Sequence, residues 1–266
     1  MNSSDDSYKL LTSLRYDPFL RSLRWNDDKH GPSEFMLLPY HFTRLAHAAS
    51  QHGWHFDASG LTQDALKAIC HQAVSSHHNA AGVSAYKLRV TLSKNGVFEA
   101  EASPIPGLTA DPMAVAQSTL AWEHCPDSLL SIAVDTEHTP TSLFTSTKTT
   151  QRSVYDAARI RNGVAGPHDQ GGSGPTDVLL WNRDHLIMET SIFNVAFYRD
   201  SSWITPSPST GCLPGVLRQW LLGQNLIQEP QHGPLDIGDI NEGDFVLLFN
   251  GVQGCKLGRI RGTRVQ

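Results

Sequence analysis

Cysteine is scarce in this chain. The four present, Cys70, Cys125, Cys212 and Cys255, form no CxxC pair. That scarcity excludes a disulfide-knit secreted scaffold and points to reduced thiols in a cytosolic protein. Long apolar runs are missing too. None approaches the ~18 residues a bilayer span requires, so no membrane partner is expected. A basic excess is lacking as well: 21 Lys and Arg stand against 26 Asp and Glu, for a net charge of -5 at pH 7. Such a balance offers little to neutralise nucleic-acid phosphates or an anionic lipid surface. The opening Met1-Asn-Ser-Ser-Asp-Asp-Ser is acidic and polar, unlike a secretory or transit signal. Histidine is plentiful at 13 residues, with His71, His77 and His78 close together. No HExxH or Cys/His pair accompanies them, so a solvated helix end is the expectation and a metal-dependent hydrolase is not.

What is there suits a globular fold. Hydrophobic residues make up 39% and charged residues 18% of 266, enough chain for one large domain or two modest ones. Tyr8 to Tyr16 reads as a strand, residues 17–33 as a polar surface excursion, and Phe35 to Leu38 as a second strand. Apolar residues recur at helical spacing from Tyr40 to Gln51, with Gly53 as the stop. Thr62 starts another helix that runs to about His77. Alternating runs on either side of Asn95-Gly96 form a hairpin. A domain boundary is expected between Ser118 and Thr141, dividing the chain into 1–125 and 126–266. The second half is mostly sheet: Leu129–Val134, Asp177–Asn182, His185–Met188, Asn194–Tyr198, Ser202–Thr205, Asp244–Phe249 and Lys256–Ile260, with a helix from about Pro214 to Gln224 before the last two. Residues 163–175 (GVAGPHDQGGSGP) read as a flexible loop and lack the ending of a phosphate loop.

Three segments in the second half carry chemistry. Lys148-Thr-Thr-Gln-Arg-Ser-Val-Tyr155 reads as helix, which would put Lys148, Arg152, Tyr155 and Arg159 on one face. That face is too polar for a buried stripe and suits the lining of a site, although a lone helix lysine is ordinarily a solvated charge. Glu189 closes the apolar run Leu186-Ile-Met188, where packing gives a carboxylate no reason to be. A strand-end glutamate in a turn is the plain alternative. Gly211-Cys-Leu-Pro-Gly215 then leads into an apolar helix, whose first free backbone N–H groups, at Val216 and Leu217, suit a phosphate. A lysine for an imine, a carboxylate for a ring nitrogen and a helix start for a phosphate are the parts that hold pyridoxal 5'-phosphate (PLP).

Together these segments resemble the fold-type IV PLP enzymes: branched-chain and D-amino-acid aminotransferases and aminodeoxychorismate lyase. Lys148-Thr-Thr-Gln-Arg, Glu189-Thr-Ser-Ile-Phe-Asn194 and Gly215-Val-Leu-Arg carry the resemblance. The first half agrees, with Leu11-Thr-Ser-Leu-Arg-Tyr16 and His41-Phe-Thr-Arg-Leu45. The resemblance implies an α/β fold (α+β type) of two domains, a smaller N-terminal α/β one and a larger sheet-rich C-terminal one, with PLP between them. It also implies a cytoplasmic homodimer acting on a small-molecule amine or amino acid. Lys148 would form the internal aldimine, Arg44 would bind phosphate, and Glu189, Tyr155, Asn194, Val216, Leu217, Asn250 and Gly251 would complete the cofactor site.

Thr12-Ser-Leu-Arg, Gly215-Val-Leu-Arg-Gln-Trp and Asn250-Gly-Val resemble the lyases more closely. The lyase converts 4-amino-4-deoxychorismate to 4-aminobenzoate and pyruvate, and Thr12 is then a candidate for placing substrate, or else a buried strand threonine. A PLP-dependent aminotransferase stands second. A cofactor-binding relative without turnover stands third. Departures from the family pattern are the largely missing strand before Leu11, the inserted residues 17–33, and Leu217 in place of a hydroxyl residue.

Overall fold

A computed structural model describes residues 8–56, 61–76, 84–117, 129–164 and 174–262. They group into two compact units whose chain segments interleave. The first runs to Pro112 and adds Thr147–Gln151 and Gly251–Gln253; the second takes Met113–Ser146, Arg152–Asn250 and the chain from Gly254. The expected boundary at 125/126 lies outside the described residues, as do Cys125, His77, His78 and most of the loop at 163–175.

In the first unit, β1 (Leu10–Tyr16) is followed by the two-residue strands β2 (Asp27–Asp28) and β3 (Gly31–Pro32). Next come helices α1 (Leu38–Gln51) and α2 (Gln63–Ser75), then the hairpin of β4 (Ala85–Leu92) and β5 (Phe98–Ile105). The sheet is antiparallel in the order β1-β4-β5, with Leu14 opposite Leu88 and Leu88 opposite Ala102. Leu10, Leu14, Leu88 and Val90 pack with Leu38, Leu45, Leu66 and Cys70 into one core, as period-2 strands and period-3.6 helices require. Thr62 caps α2 by accepting from the Ala65 N–H.

Two sequence expectations are corrected here. Phe35–Leu38 is not a strand: Phe35 makes one isolated bridge to Tyr16, and α1 already begins at Leu38. Pro39 at the first turn suits a helix start, since its missing N–H would have no partner there. Residues 17–33 are not merely a surface excursion either. Asp17, Asn26 and Ser33 are buried, and Asn26 donates to the carbonyls of Ser33 and Phe35 while accepting from the Leu37 N–H. Three backbone groups satisfied by one side chain make a built corner.

The second unit begins with the one-turn helix α3 (Ala114–Gln117), strand β6 (Leu130–Val134), the one-turn helix α4 (Leu143–Ser146) and α5 (Ser153–Arg161). Strands β7 (Asp177–Trp181), β8 (Ile187–Thr190), β9 (Asn194–Arg199) and β10 (Ser202–Ile204) follow. Helix α6 (Val216–Gly223) and strands β11 (Phe245–Asn250) and β12 (Gly254–Arg261) complete it. The seven strands lie in the order β10-β9-β11-β12-β6-β7-β8. Only β12–β6 and β6–β7 are parallel pairs. Strand β7 is buried throughout: Leu179 and Trp181 join one core cluster, whereas Val178 and Leu180 join another with Tyr155 and Ala158 of α5. A strand covered on both faces reads as a continuous apolar run, which VLLW after Asp177 is.

Candidate active site

The lysine segment takes its position from the first unit. The Leu11 N–H donates to Lys148 O at 2.8 Å, the Thr150 N–H donates to Lys9 O at 2.9 Å, and Thr149 bridges Leu10. His52 fastens the same segment, its two ring nitrogens meeting Thr147 Oγ1 at 2.8 Å and Tyr8 Oη at 2.7 Å. Lys148 therefore lies on extended chain paired with β1, and the expected helix from Lys148 is corrected. Helix α5 starts only at Ser153, with Arg152 as its N-cap. Backbone partners nearly 140 residues away outweigh a local helical pattern, because they satisfy N–H and C=O groups that would otherwise be stranded.

Around it stand α1 and β1. Arg44, nearly buried, donates from Nη2 to Thr12 Oγ1 at 2.6 Å, and the same oxygen lies 2.6 Å from His41 Nδ1. Thr12 has no exposed surface at all. His41 is fully buried, and its pKa is held well below the imidazole range, first by burial and then by the positive charges of Arg44 and Lys148. It is neutral at physiological pH. Sequence reasoning passed over His41 and His52. The i, i+3 spacing of His41 and Arg44 on one helix face was the available signal for the first. Gly251 also belongs to this unit.

In the second unit the carboxylate of Glu189 is 4% exposed at the end of β8. Oε1 accepts from Tyr155 Oη at 2.9 Å and from the Leu213 N–H at 3.2 Å, while Oε2 accepts from Asn194 Nδ2 at 3.3 Å. Burial and the neighbouring carboxylate push the Tyr155 phenol well above its ordinary value, so it stays protonated and donates. The polar face expected on α5 survives for its three other members. Arg152 donates to Ser191 O, Arg159 to Ser191 Oγ, and Tyr155 to Glu189, all on the chain closing β8.

The turn into α6 is shaped by two glycines. Gly211 has φ +90, and a Cβ there would stand 2.4 Å from Thr141 Cγ2. Gly215 is the N-cap of α6, where no side chain caps the helix. Val216 and Leu217 open that helix, so their N–H groups are among those a helix leaves unpaired. Asn194 opens β9 and Asn250 closes β11, donating to Ile192 O at 3.3 Å. Of the expected site residues, the structure places Lys148, Arg44, Thr12 and Gly251 in the first unit and Glu189, Tyr155, Asn194, Val216, Leu217 and Asn250 in the second. Among the described residues no His/Cys/Asp/Glu group could hold a metal ion, and no helix is long and apolar enough to cross a membrane.

Known proteins resemble this chain over most of its length. The family model for amino-transferase class IV matches residues 22–256. The aminodeoxychorismate lyase of Saccharomyces cerevisiae is 32% identical over 266 residues, covering 85% of this chain and 68% of that protein. Among solved structures, the branched-chain amino acid aminotransferase of Escherichia coli superposes with a TM-score of 0.62 at 14% identity, over 96% of this chain and 76% of that one. A hypothetical aminotransferase from Mycobacterium tuberculosis, in its α-ketoglutarate- and PMP-bound form, does so with a TM-score of 0.65 at 16% identity, over 100% and 89%.

Proposed function

We propose a reaction for this chain on one premise: the chain belongs to the class IV aminotransferases, a family of PLP-dependent enzymes of fold-type IV. The reaction is the cleavage of 4-amino-4-deoxychorismate to 4-aminobenzoate and pyruvate. Its atoms balance without a co-substrate. The observation that carries this reading over transamination is the 32% identity to the yeast lyase across 85% of the chain.

The residues present fit PLP. A buried carboxylate backed by three donors suits a protonated pyridine nitrogen, because those donors hold the charge in place without neutralising it. An uncapped helix start suits a phosphate dianion. When bound, PLP draws electrons away from the carbon that bears the substrate amine. Glu189 would keep the proton on the ring nitrogen, with Tyr155 and the Leu213 N–H fixing the carboxylate. The N–H groups of Val216 and Leu217 would take the phosphate, a role the resemblance also gives to Arg44. Lys148 Nζ would be the attachment point. It would then act as the base that removes the ring proton of the substrate and the acid that protonates the departing enolpyruvyl carbon. A homodimer is part of the same reading.

The purified protein should release pyruvate and 4-aminobenzoate one to one from aminodeoxychorismate with no keto acid added. Conversion of an amino donor to its keto acid, without pyruvate release, would replace the lyase by an aminotransferase. Borohydride reduction followed by peptide mapping should find the cofactor on Lys148. A label on any other lysine removes that residue from the role.

A further inference from the structure

The carboxylate of Glu189 and the turn that delivers α6 share one side chain, Asn194. Its Nδ2 donates to Leu213 O at 2.8 Å and to Glu189 Oε2 at 3.3 Å. The Leu213 N–H returns to Glu189 Oε1 at 3.2 Å. The carboxylate, the amide and the backbone N–H and C=O of Leu213 thus close a ring of hydrogen bonds. Both hydrogens of the amide are used, and the opposite orientation would set its oxygen against a carboxylate and a carbonyl, so the network fixes which atom is nitrogen. The oxygen faces Gly215 so closely that a Cβ there would lie 1.9 Å from Oδ1. Glycine at 215 is demanded by this contact and not by backbone strain, for its φ is -64.

We infer that Asn194 is a positioning residue and not a ligand of the cofactor: it ties Glu189 to the N-terminus of α6, so that the carboxylate and the helix amides keep one fixed separation. With both N–H groups spent inside the protein, it has no donor left for a phosphate or a phenolate. This rests on the PLP reading above and adds to it the device that keeps the ring end and the phosphate end of the site in register.

The test compares two probes on the apoprotein: PLP, which spans both ends, and inorganic phosphate, which occupies one. Asn194→Ala should weaken PLP by about tenfold or more, the usual scale for losing a residue that orients a ligand's contacts, and should shift the phosphate response of the melting temperature by less than about threefold in affinity. Gly215→Ala should weaken PLP comparably by displacing Oδ1. The double variant should be no worse than Asn194→Ala alone, because both lesions break one link. Should Asn194→Ala fail to fold, the near-isosteric Asn194→Leu, which loses both donors without adding a charge beside Glu189, takes its place. Unchanged PLP affinity, equal losses for PLP and phosphate, or multiplying losses in the double variant would each overturn the inference while leaving the cofactor in place. Failure of the wild-type protein to bind PLP would instead remove the parent reading and this one with it.

Discussion

Replacing Tyr155 by Phe removes one oxygen and little else. The ring sits under the Arg152 guanidinium at 5.0 Å and packs with Ala158 and Met188, contacts that phenylalanine keeps. What disappears is the 2.9 Å hydrogen bond to Glu189 Oε1, between two groups that are 7% and 4% exposed. A hydrogen bond to a charged acceptor contributes about 1.5–3 kcal/mol. The Leu213 N–H and Asn194 still hold the carboxylate, so a loss of about 2 kcal/mol is expected. For a chain of this size that lowers the melting temperature by about 4–8 °C.

Urea unfolding of cofactor-free protein reads the difference directly, and its pH dependence carries a sign. Burial and the charge of Glu189 raise the folded-state pKa of Tyr155 above the ordinary 10.0. The phenol's contribution is therefore complete below that value and fades as pH rises toward the folded-state pKa. The gap between wild type and Tyr155→Phe should hold steady from neutral pH to about pH 9 and narrow above about pH 10. A gap under about 0.5 kcal/mol, or one that widens with alkali, would refute the assigned hydrogen bond.

Glu189→Gln should leave PLP bound but lower turnover by about a hundredfold or more, as loss of a charge aimed at the reacting system does; near-normal turnover in steady-state assays would end its assigned role. Asp135 is fully buried and takes a bidentate pair of hydrogen bonds from Arg161 at 2.9 and 2.8 Å, with a third from Asn162. Asp135→Asn should cost roughly 1–2 kcal/mol in urea unfolding, because it removes the buried one of the two carboxylates that pair with Arg161 and leaves Glu137 at 3.1 Å. Burial pushes the thiols of Cys70 and Cys212 up to about 12, the charge of Glu189 adding to the effect at Cys212. Both should resist a thiol reagent at about pH 8 in the native protein and react once it is unfolded, as peptide mapping would show.

Legibility followed the range of the interactions. The hairpin at Asn95-Gly96 and the cap at Thr62 were readable because their hydrogen bonds close within a few residues: the Gly96 N–H to Ser93 O, the Ala65 N–H to Thr62 Oγ1. Glu189 stood out because a carboxylate ended an apolar run. Phe35–Leu38 misled because two of its neighbours in space, Asn26 and Tyr16, are supplied by tertiary contacts.

By itself the sequence determined most of the alternation of strands and helices and the family the chain resembles, and it singled out the lysine, the glutamate and the glycine turn. All of these are written in periodicity and in residue types that packing does not ask for. Tertiary structure alone decided that Lys148 lies on extended chain against β1, that His41 is buried and neutral beside Arg44, and that Tyr155, Leu213 and Asn194 converge on one carboxylate. The reason is physical. A side chain's hydrogen-bond partners and its solvation are set by what the rest of the chain brings to it, and no window of neighbouring residues contains that.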